Sequence, residues 1–421
     1  MKRIEPARRL QAAVVVPGSK SYTQRALIMA ALAGGRSVLR NALDAEDSVR
    51  LVQALRSLGA GIRWEGEDLV VTGTGGTITP PGSALFLGNN GTAMRLLTSV
   101  VALGNGTFTL TGDRRLRERP VGPLREALVA LGVDIATEGD RGCPPVTVRG
   151  RGLPGGQVVL KDLDSSQYVS SLLISAPYAS ADVTVVLEGH VPSLPYVDVT
   201  VETMQQFGVE VRRENARTFV VPHGQRYVGG TYRVEGDVSS ASYFFLAAAV
   251  TGGTVRVERI NPRTRQGDIG ILDILEELGC TVRRGEGEVE VTGGALANGD
   301  RVFDLGNMPD MVPTLAVLAA LRPGRTAITG VAHLRVKESD RLAALAAELR
   351  KTGISAEERP DGLVIEGGRP RGAEIETYDD HRIAMSFAVL GLAVPGIAIR
   401  NGRCVAKSFP RFWELLEGLS T

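Results

Sequence analysis

Six times along this chain a polar, cap-like cluster opens a short and very apolar helix, which a Gly-containing turn then joins to a β-like run. The openings are Ser19-Lys20-Ser21, Asn90-Gly91-Thr92, Ser165-Ser166-Gln167, Ser239-Ser240-Ala241, Asn307-Met308-Pro309-Asp310 and Asp379-Asp380-His381-Arg382. Such recurrence constrains the fold strongly, because each copy must bury its apolar face against others like it. The spacing is about 70 residues, longer than that of solenoid repeats. The openings also carry chemistry. Helix N-termini present unpaired N–H groups and a partial positive charge, which favours anions. Lys and Arg lie close to nearly every opening, so the pattern reads as a scaffold for small, multiply charged anions.

A second element recurs between these units. It is an amphipathic helix ending near Gly59, Gly132, Gly208, Gly279 or Gly353, most of them followed by short alternating strands. Each Gly stands where a helix end calls for a left-handed residue. A sixth copy begins at Pro410 with a helix over 412–419, and its missing strand is expected from Arg9 to Val16. The chain then closes on itself as two similar lobes of three βαβ-type units each. One lobe takes residues 1–16 and 229–421 and the other 17–228, with crossovers near Pro17 and Val228-Gly229-Gly230. Sites in two-lobed proteins usually occupy the cleft between lobes, and the site is expected there.

Bulk properties narrow the classes. At 421 residues the chain exceeds one ordinary core, and a net charge of +1 gives no global pull toward nucleic acid or an anionic membrane. Cys143, Cys280 and Cys404 show no C-x-x-C spacing, which favours a reducing cytoplasm and argues against structural zinc. The apolar stretches are too short for a membrane span. A monomer that binds small anionic molecules, with no cofactor and no metal, is expected.

The local motifs carry the anion chemistry. Lys20 and Arg25 oppose the macrodipole at a helix start, which a shared anionic ligand explains. In Gly88-Asn89-Asn90-Gly91-Thr92-Ala93-Met94-Arg95, Gly and Asn allow N–H groups to approach a ligand closely, but the P-loop spacing is absent. Four arginines crowd 114–119, where a solvated charge run is the plain alternative. Ser165, Ser166 and Gln167 offer a neutral cradle, beyond what N-capping alone needs. Glu338 and Arg341 read as an i, i+3 pair on one helix face, for which a surface salt bridge is the bland account. Asp310 and Glu338 among cations suggest a carboxylate pair able to move protons. The Ser239 opening carries no charge and reads as a purely structural copy.

In this order the motifs resemble the enolpyruvyl transferase superfamily, and within it the 5-enolpyruvylshikimate-3-phosphate synthase family. The specific signals are the 88–95 segment and Arg335-Val336-Lys337-Glu338-Ser339-Asp340-Arg341-Leu342, and the likeness covers essentially the whole chain. The resemblance implies an α/β (α+β) fold of two similar lobes, each of three βαβαββ units in an inside-out α/β barrel, with the active site in the interlobe cleft. It implies enolpyruvyl transfer from phosphoenolpyruvate to the 5-hydroxyl of shikimate-3-phosphate, releasing phosphate through a tetrahedral intermediate.

Carried over by motif, Lys20, Ser21, Arg25, Ser165, Ser166, Gln167, Ser193, Tyr196, Asp310, His333 and Lys337 would meet shikimate-3-phosphate. Lys20, Gly91, Arg95, Arg119, Gln167, Arg341, Arg382 and Lys407 would meet phosphoenolpyruvate. Asp310 and Glu338 would transfer protons, with Lys20 assisting. Three positions depart from the commonest pattern: Leu96 for Pro, His333 for Asn and Leu194 for Lys. Leu96 borders the pocket that the herbicide glyphosate takes in this family, so reduced sensitivity is expected. The UDP-N-acetylglucosamine enolpyruvyl transferases typically show Lys-Asn near the N-terminus and a Cys on the Arg-rich loop. Here Ser21 follows Lys20, and 112–120 holds no Cys. A non-catalytic anion-binding scaffold gains nothing from Asp310 and Glu338.

Overall fold

The computed structural model describes residues 1–7, 9–139 and 142–420. The chain divides into two compact units, Met1–Ser19 with Glu235–Thr421, and Lys20–Val234. Thr231–Arg233 pairs in parallel with Arg36–Arg40, which keeps it in the Lys20–Val234 unit. The second passage therefore falls at 234/235, beyond the 228/229 read from sequence.

One unit of structure repeats. A strand leads into a buried helix, a second strand lies parallel to the first, an amphipathic helix follows, and two antiparallel strands close the sheet. In the middle repeat of the Lys20–Val234 unit the strands are Leu85–Phe86, Asn105–Thr111, Cys143–Arg151 and Asp134–Gly139, in that spatial order. Its buried helix, Gly91–Val101, bears Leu96, Leu97, Val100 and Val101, all with no exposed surface. Almost every residue of the helix is buried, and its buried polar side chains Arg95, Thr98 and Ser99 are hydrogen-bonded. The helices Lys20–Leu32 and Gln167–Ser175 are its counterparts, and all three share one apolar core.

The other unit repeats the scheme with the helices Val238–Thr251, Val312–Leu321 and His381–Ala393, which pack on one another in a second core. Each buried helix packs on the sheet of its own repeat. Five sheets have four strands and one has three, and among the described residues none closes into a barrel. The five glycines read as helix ends all take positive φ, from 81° at Gly208 to 109° at Gly59.

The N-terminal segment serves two sheets. Gln11–Val15 runs parallel to Thr254–Glu258 and supplies the first strand of the fourth repeat. The strand that completes the sixth repeat is instead Lys2–Arg3, antiparallel to Ala398–Ile399. This corrects the expectation that residues 9–16 fill that place. The apolar run of 12–16 suits a strand, but both sheets have an edge that could take one.

Candidate active site

In the Lys20–Val234 unit, two groups of the expected residues are drawn together. The first gathers at the start of the Gly91–Val101 helix. Asn90 caps it, its Oδ1 accepting from Ala93 N at 2.9 Å while its Nδ2 donates to the Asp47 carbonyl at 2.8 Å. The Lys20 ammonium stands 3.4 Å from the Asp47 carboxylate. Gln167 Nε2 donates to Thr92 Oγ1 at 3.0 Å, and Arg95 Nη1 donates to Gln167 Oε1 at 2.9 Å. Arg119, 4% exposed, donates through Nη1 to the Asn89 carbonyl at 3.0 Å and lies directly over Gly91. A Cβ at Gly91 would come within 2.5 Å of the guanidinium carbon, so only Gly permits this approach.

The other three arginines of that loop behave differently. Arg114 and Arg115 pair with Glu118 at the surface, and Arg117 donates to the Gly112 carbonyl at 3.0 Å. The crowded run is thus mostly a solvated face, and Arg119 alone of the four is buried.

The second group surrounds Arg25, which is 1% exposed. Its guanidinium donates to Thr200 Oγ1 at 2.7 Å, to the Ser21 carbonyl at 3.0 Å, and to Ser170 Oγ and the Tyr196 carbonyl at 3.2 Å. Burial pulls its pKa down to about 10. Ser165 and Ser166 are also buried, with Ser165 Oγ accepting from Gln167 N at 3.3 Å. Ser193 holds a left-handed φ of 57° just before the Pro195–Gln206 helix that carries Tyr196.

In the other unit, Asp310, Glu338, Arg341 and Arg382 form one network. Arg341 donates to three carboxylates at once: Asp310 at 2.8 Å, Glu338 at 2.9 Å and Asp380 at 2.8 Å. Arg382 Nη2 reaches the second oxygen of Asp310 at 2.7 Å. Burial alone would lower the Arg341 pKa, but Asp380, Glu338 and Asp310 outweigh it and hold the guanidinium above its ordinary value. The same holds for Arg382, where Asp310 leads the opposing groups. Asp310 keeps 27% of its side chain exposed and Glu338 8%, whereas Asp380 keeps none. His333 and Lys337 lie in or just after the short 3-10 turn Ala332–Val336, immediately before Glu338. Lys407 ends another such turn, Gly402–Lys407, packed on the helix that bears Arg382.

Two local readings are corrected here. Glu338 and Arg341 do not share a helix face. The helix begins at Arg341, and Asp340 is its N-cap, accepting from Ala343 N at 3.1 Å. Nor is their pair a surface bridge, since Arg341 is 1% exposed. The reading that no charge stands at the Ser239 opening is also corrected. Asp237 caps its helix, and Ser239 Oγ donates to the fully buried carboxylate of Asp268. Burial, then the charge of Asp310, pushes the Asp268 pKa up to about 7.

Asp47, Asp268 and Asp380 are the groups that residue-by-residue reading did not assign. Asp379-Asp380 was legible as a helix opening, and Glu46-Asp47 as first-turn acids. Nothing in Gly267-Asp268-Ile269-Gly270 distinguishes a buried carboxylate from a surface turn. Among the described residues no group of three or more His, Cys, Asp or Glu side chains is placed to hold a metal ion. No helix there is long and apolar enough to cross a membrane.

Repeated α/β units whose helix openings gather buried arginines, a lysine and carboxylates define a protein suited to small polyanions and to proton transfer beside them. The chain belongs to the EPSP synthase (3-phosphoshikimate 1-carboxyvinyltransferase) family, whose model matches residues 4–416. It is 46% identical over 423 residues to the 3-phosphoshikimate 1-carboxyvinyltransferase of Syntrophobacter fumaroxidans, covering 100% of both chains. It is 45% identical to the protein of that name from Methanoculleus marisnigri, over 99% of this chain and 98% of the other. Among solved structures, an EPSP synthase from Acinetobacter baumannii superposes with a TM-score of 0.80 at 32% identity, covering 99% of this chain and 97% of that one.

Proposed function

We propose that the chain joins phosphoenolpyruvate to the 5-hydroxyl of shikimate-3-phosphate and releases phosphate. The observation that carries this reading is the full-length family match, taken with the Asp310–Arg341–Glu338 network. The 5-hydroxyl oxygen adds to the enol carbon and gives up its proton, while a proton is added to the methylene. In the resulting tetrahedral intermediate the carbon–oxygen bond to phosphate then breaks, and a methyl proton leaves to restore the double bond. Each stage needs a group that can give or take a proton beside a concentrated negative charge.

Asp310 and Glu338 suit the proton transfers, since both retain exposed surface and a common arginine orients them. Lys20 assists from beside Asp47. Lys20, Ser21, Arg25, Ser165, Ser166, Gln167, Ser193, Tyr196, Asp310, His333 and Lys337 take shikimate-3-phosphate. Lys20, Gly91, Arg95, Arg119, Gln167, Arg341, Arg382 and Lys407 take phosphoenolpyruvate. Arg25 acts largely by holding Ser21 and Tyr196 in place, as its own donors are already engaged by protein acceptors. The chain acts as a monomer in the cytoplasm, and its three cysteines, with no C-x-x-C spacing, suit that reducing compartment.

A phosphate-release assay with both substrates tests the reading. Lys20→Met, Asp310→Ala and Glu338→Ala should each lose turnover. Retained turnover in all three overturns the site assignment.

A further inference from the structure

The loop that delivers Asp380 and Arg382 is backbone-strained just before them. Tyr378 has φ 54° and Asp379 φ 56°, two consecutive L-residues in the left-handed region. An Asp tolerates that region, but for a bulky aromatic it is unfavourable and persists only where surrounding contacts enforce it.

The enforcing contact is a buried carboxylate outside the network already described. Glu348 has no exposed surface. Tyr378 Oη donates to its Oε1 at 2.7 Å, and the backbone N of Glu376 donates to its Oε2 at 3.0 Å. Lys351 Nζ adds a third donor at 2.8 Å. A buried carboxylate is retained at a cost unless it is paired in this way.

Glu348 lies on the Arg341–Lys351 helix, whose first residue is Arg341. Glu348 lies seven positions along the helix from Arg341, a rise of about 10 Å. The loop is thus tied to this helix at two points, by Tyr378 and Glu376 to Glu348, and by Asp380 to Arg341. The two left-handed residues are Tyr378, part of the first tie, and Asp379, which lies between the ties and accepts from Asn401 Nδ2 at 3.0 Å. The Asp380 carboxylate that results from this path also accepts from Arg382 N at 3.0 Å.

We infer that Glu348 and Tyr378 are positioning residues that hold the strained 378–379 turn, and through Asp380 fix the Arg341 guanidinium and the first turn of the helix that carries Arg382 for phosphoenolpyruvate. Neither touches the substrate. Without the phenol hydroxyl the turn loses its clamp and relaxes toward right-handed backbone, and the Asp380 carboxylate moves relative to both arginines. This rests on the phosphoenolpyruvate role proposed above for Arg341 and Arg382.

The test compares Tyr378→Phe with Arg382→Lys in the full-length chain, measuring KM for each substrate, kcat and the thermal midpoint. Tyr378 is 41% exposed, and Phe keeps its ring while removing only the hydroxyl that donates to Glu348. For Tyr378→Phe the expected result is a KM for phosphoenolpyruvate raised about tenfold, with kcat and the shikimate-3-phosphate KM unchanged. Glu348→Gln, which keeps an oxygen acceptor, should show the same split to a lesser degree. A lowered thermal midpoint with both KM values unchanged, or both raised alike, overturns the inference by showing a merely structural brace. An unchanged phosphoenolpyruvate KM in Arg382→Lys overturns the reading of the site itself, and the role of the brace with it.

Discussion

Arg341 and Asp380 meet as a buried pair, Nε donating to Oδ2 at 2.8 Å, with 1% and 0% of the two side chains exposed. The pair orders what lies around it. Asp380 holds one edge of the guanidinium, so the remaining nitrogens are aimed at Asp310 and Glu338. A planar fork with fixed donors can do this, and a flexible ammonium cannot. Arg341→Lys should therefore keep a positive charge yet lose orientation. The expected loss in kcat/KM for phosphoenolpyruvate is about 100-fold, or ~2.7 kcal/mol. Steady-state kinetics on the folded variant measures it, and a loss below threefold would show that charge alone matters here.

Gly91 and Arg119 make a second prediction, which rests on space alone. Gly91 begins its helix with no positive φ, so Ala is conformationally acceptable there. What Ala lacks is room, because its Cβ would fall 2.5 Å from the Arg119 guanidinium carbon. The arginine must swing away, giving up its bond to the Asn89 carbonyl. Gly91→Ala is expected to raise the phosphoenolpyruvate KM by roughly tenfold while the protein stays folded. A parallel measurement of the shikimate-3-phosphate KM should show little change.

The repeat and the helix openings of the candidate site were legible because their signals are local, whereas Ser193, Tyr196 and Lys407 came only with the resemblance. A cap residue, a Gly at a helix end and a run of apolar residues are each read within one turn, and Asn90, Asp380 and Gly59 do what their neighbours in sequence imply. What was illegible depends on partners distant in the chain. Lys2–Arg3 is a strand only because Ala398–Ile399 presents an edge to it, and two charged residues show no alternation. The burial of Asp268 follows from packing beneath the Val238–Thr251 helix, with no mark in its own tetrapeptide. Lys20 reads from sequence as a cation that calls for an anionic ligand, and only the fold shows Asp47 beside it.

Leu96 supports a prediction about inhibition. It is the sixth residue of its helix and fully buried, where its backbone N–H belongs to the helical ladder. A proline there would remove that donor and bend the helix. This chain keeps the regular helix immediately after Arg95. Leu96→Pro is therefore expected to lower the ratio of the glyphosate inhibition constant to the phosphoenolpyruvate KM. Competitive inhibition measured on both forms checks it, and an unchanged ratio would remove Leu96 from the account of tolerance.

Asp268 links the site to pH. Burial first, then the charges of Asp310 and Asp237, hold its proton, with Arg382 and Ser239 opposing, and the balance raises its pKa from 3.8 to about 7. Between those two values the folded chain keeps a proton that the unfolded chain has released. The contribution to stability is thus complete below the unfolded value and is lost as pH rises through the folded one. Asp268→Asn removes this dependence, because an amide does not titrate. Relative to that variant, the parent should lose stability between pH 5 and 7.5, with a slope of up to about 1.4 kcal/mol per pH unit. Urea midpoints of the two proteins across that range measure the slope. Curves that run parallel from pH 5 to 7.5 would show that Asp268 is already ionised in the folded chain at pH 5.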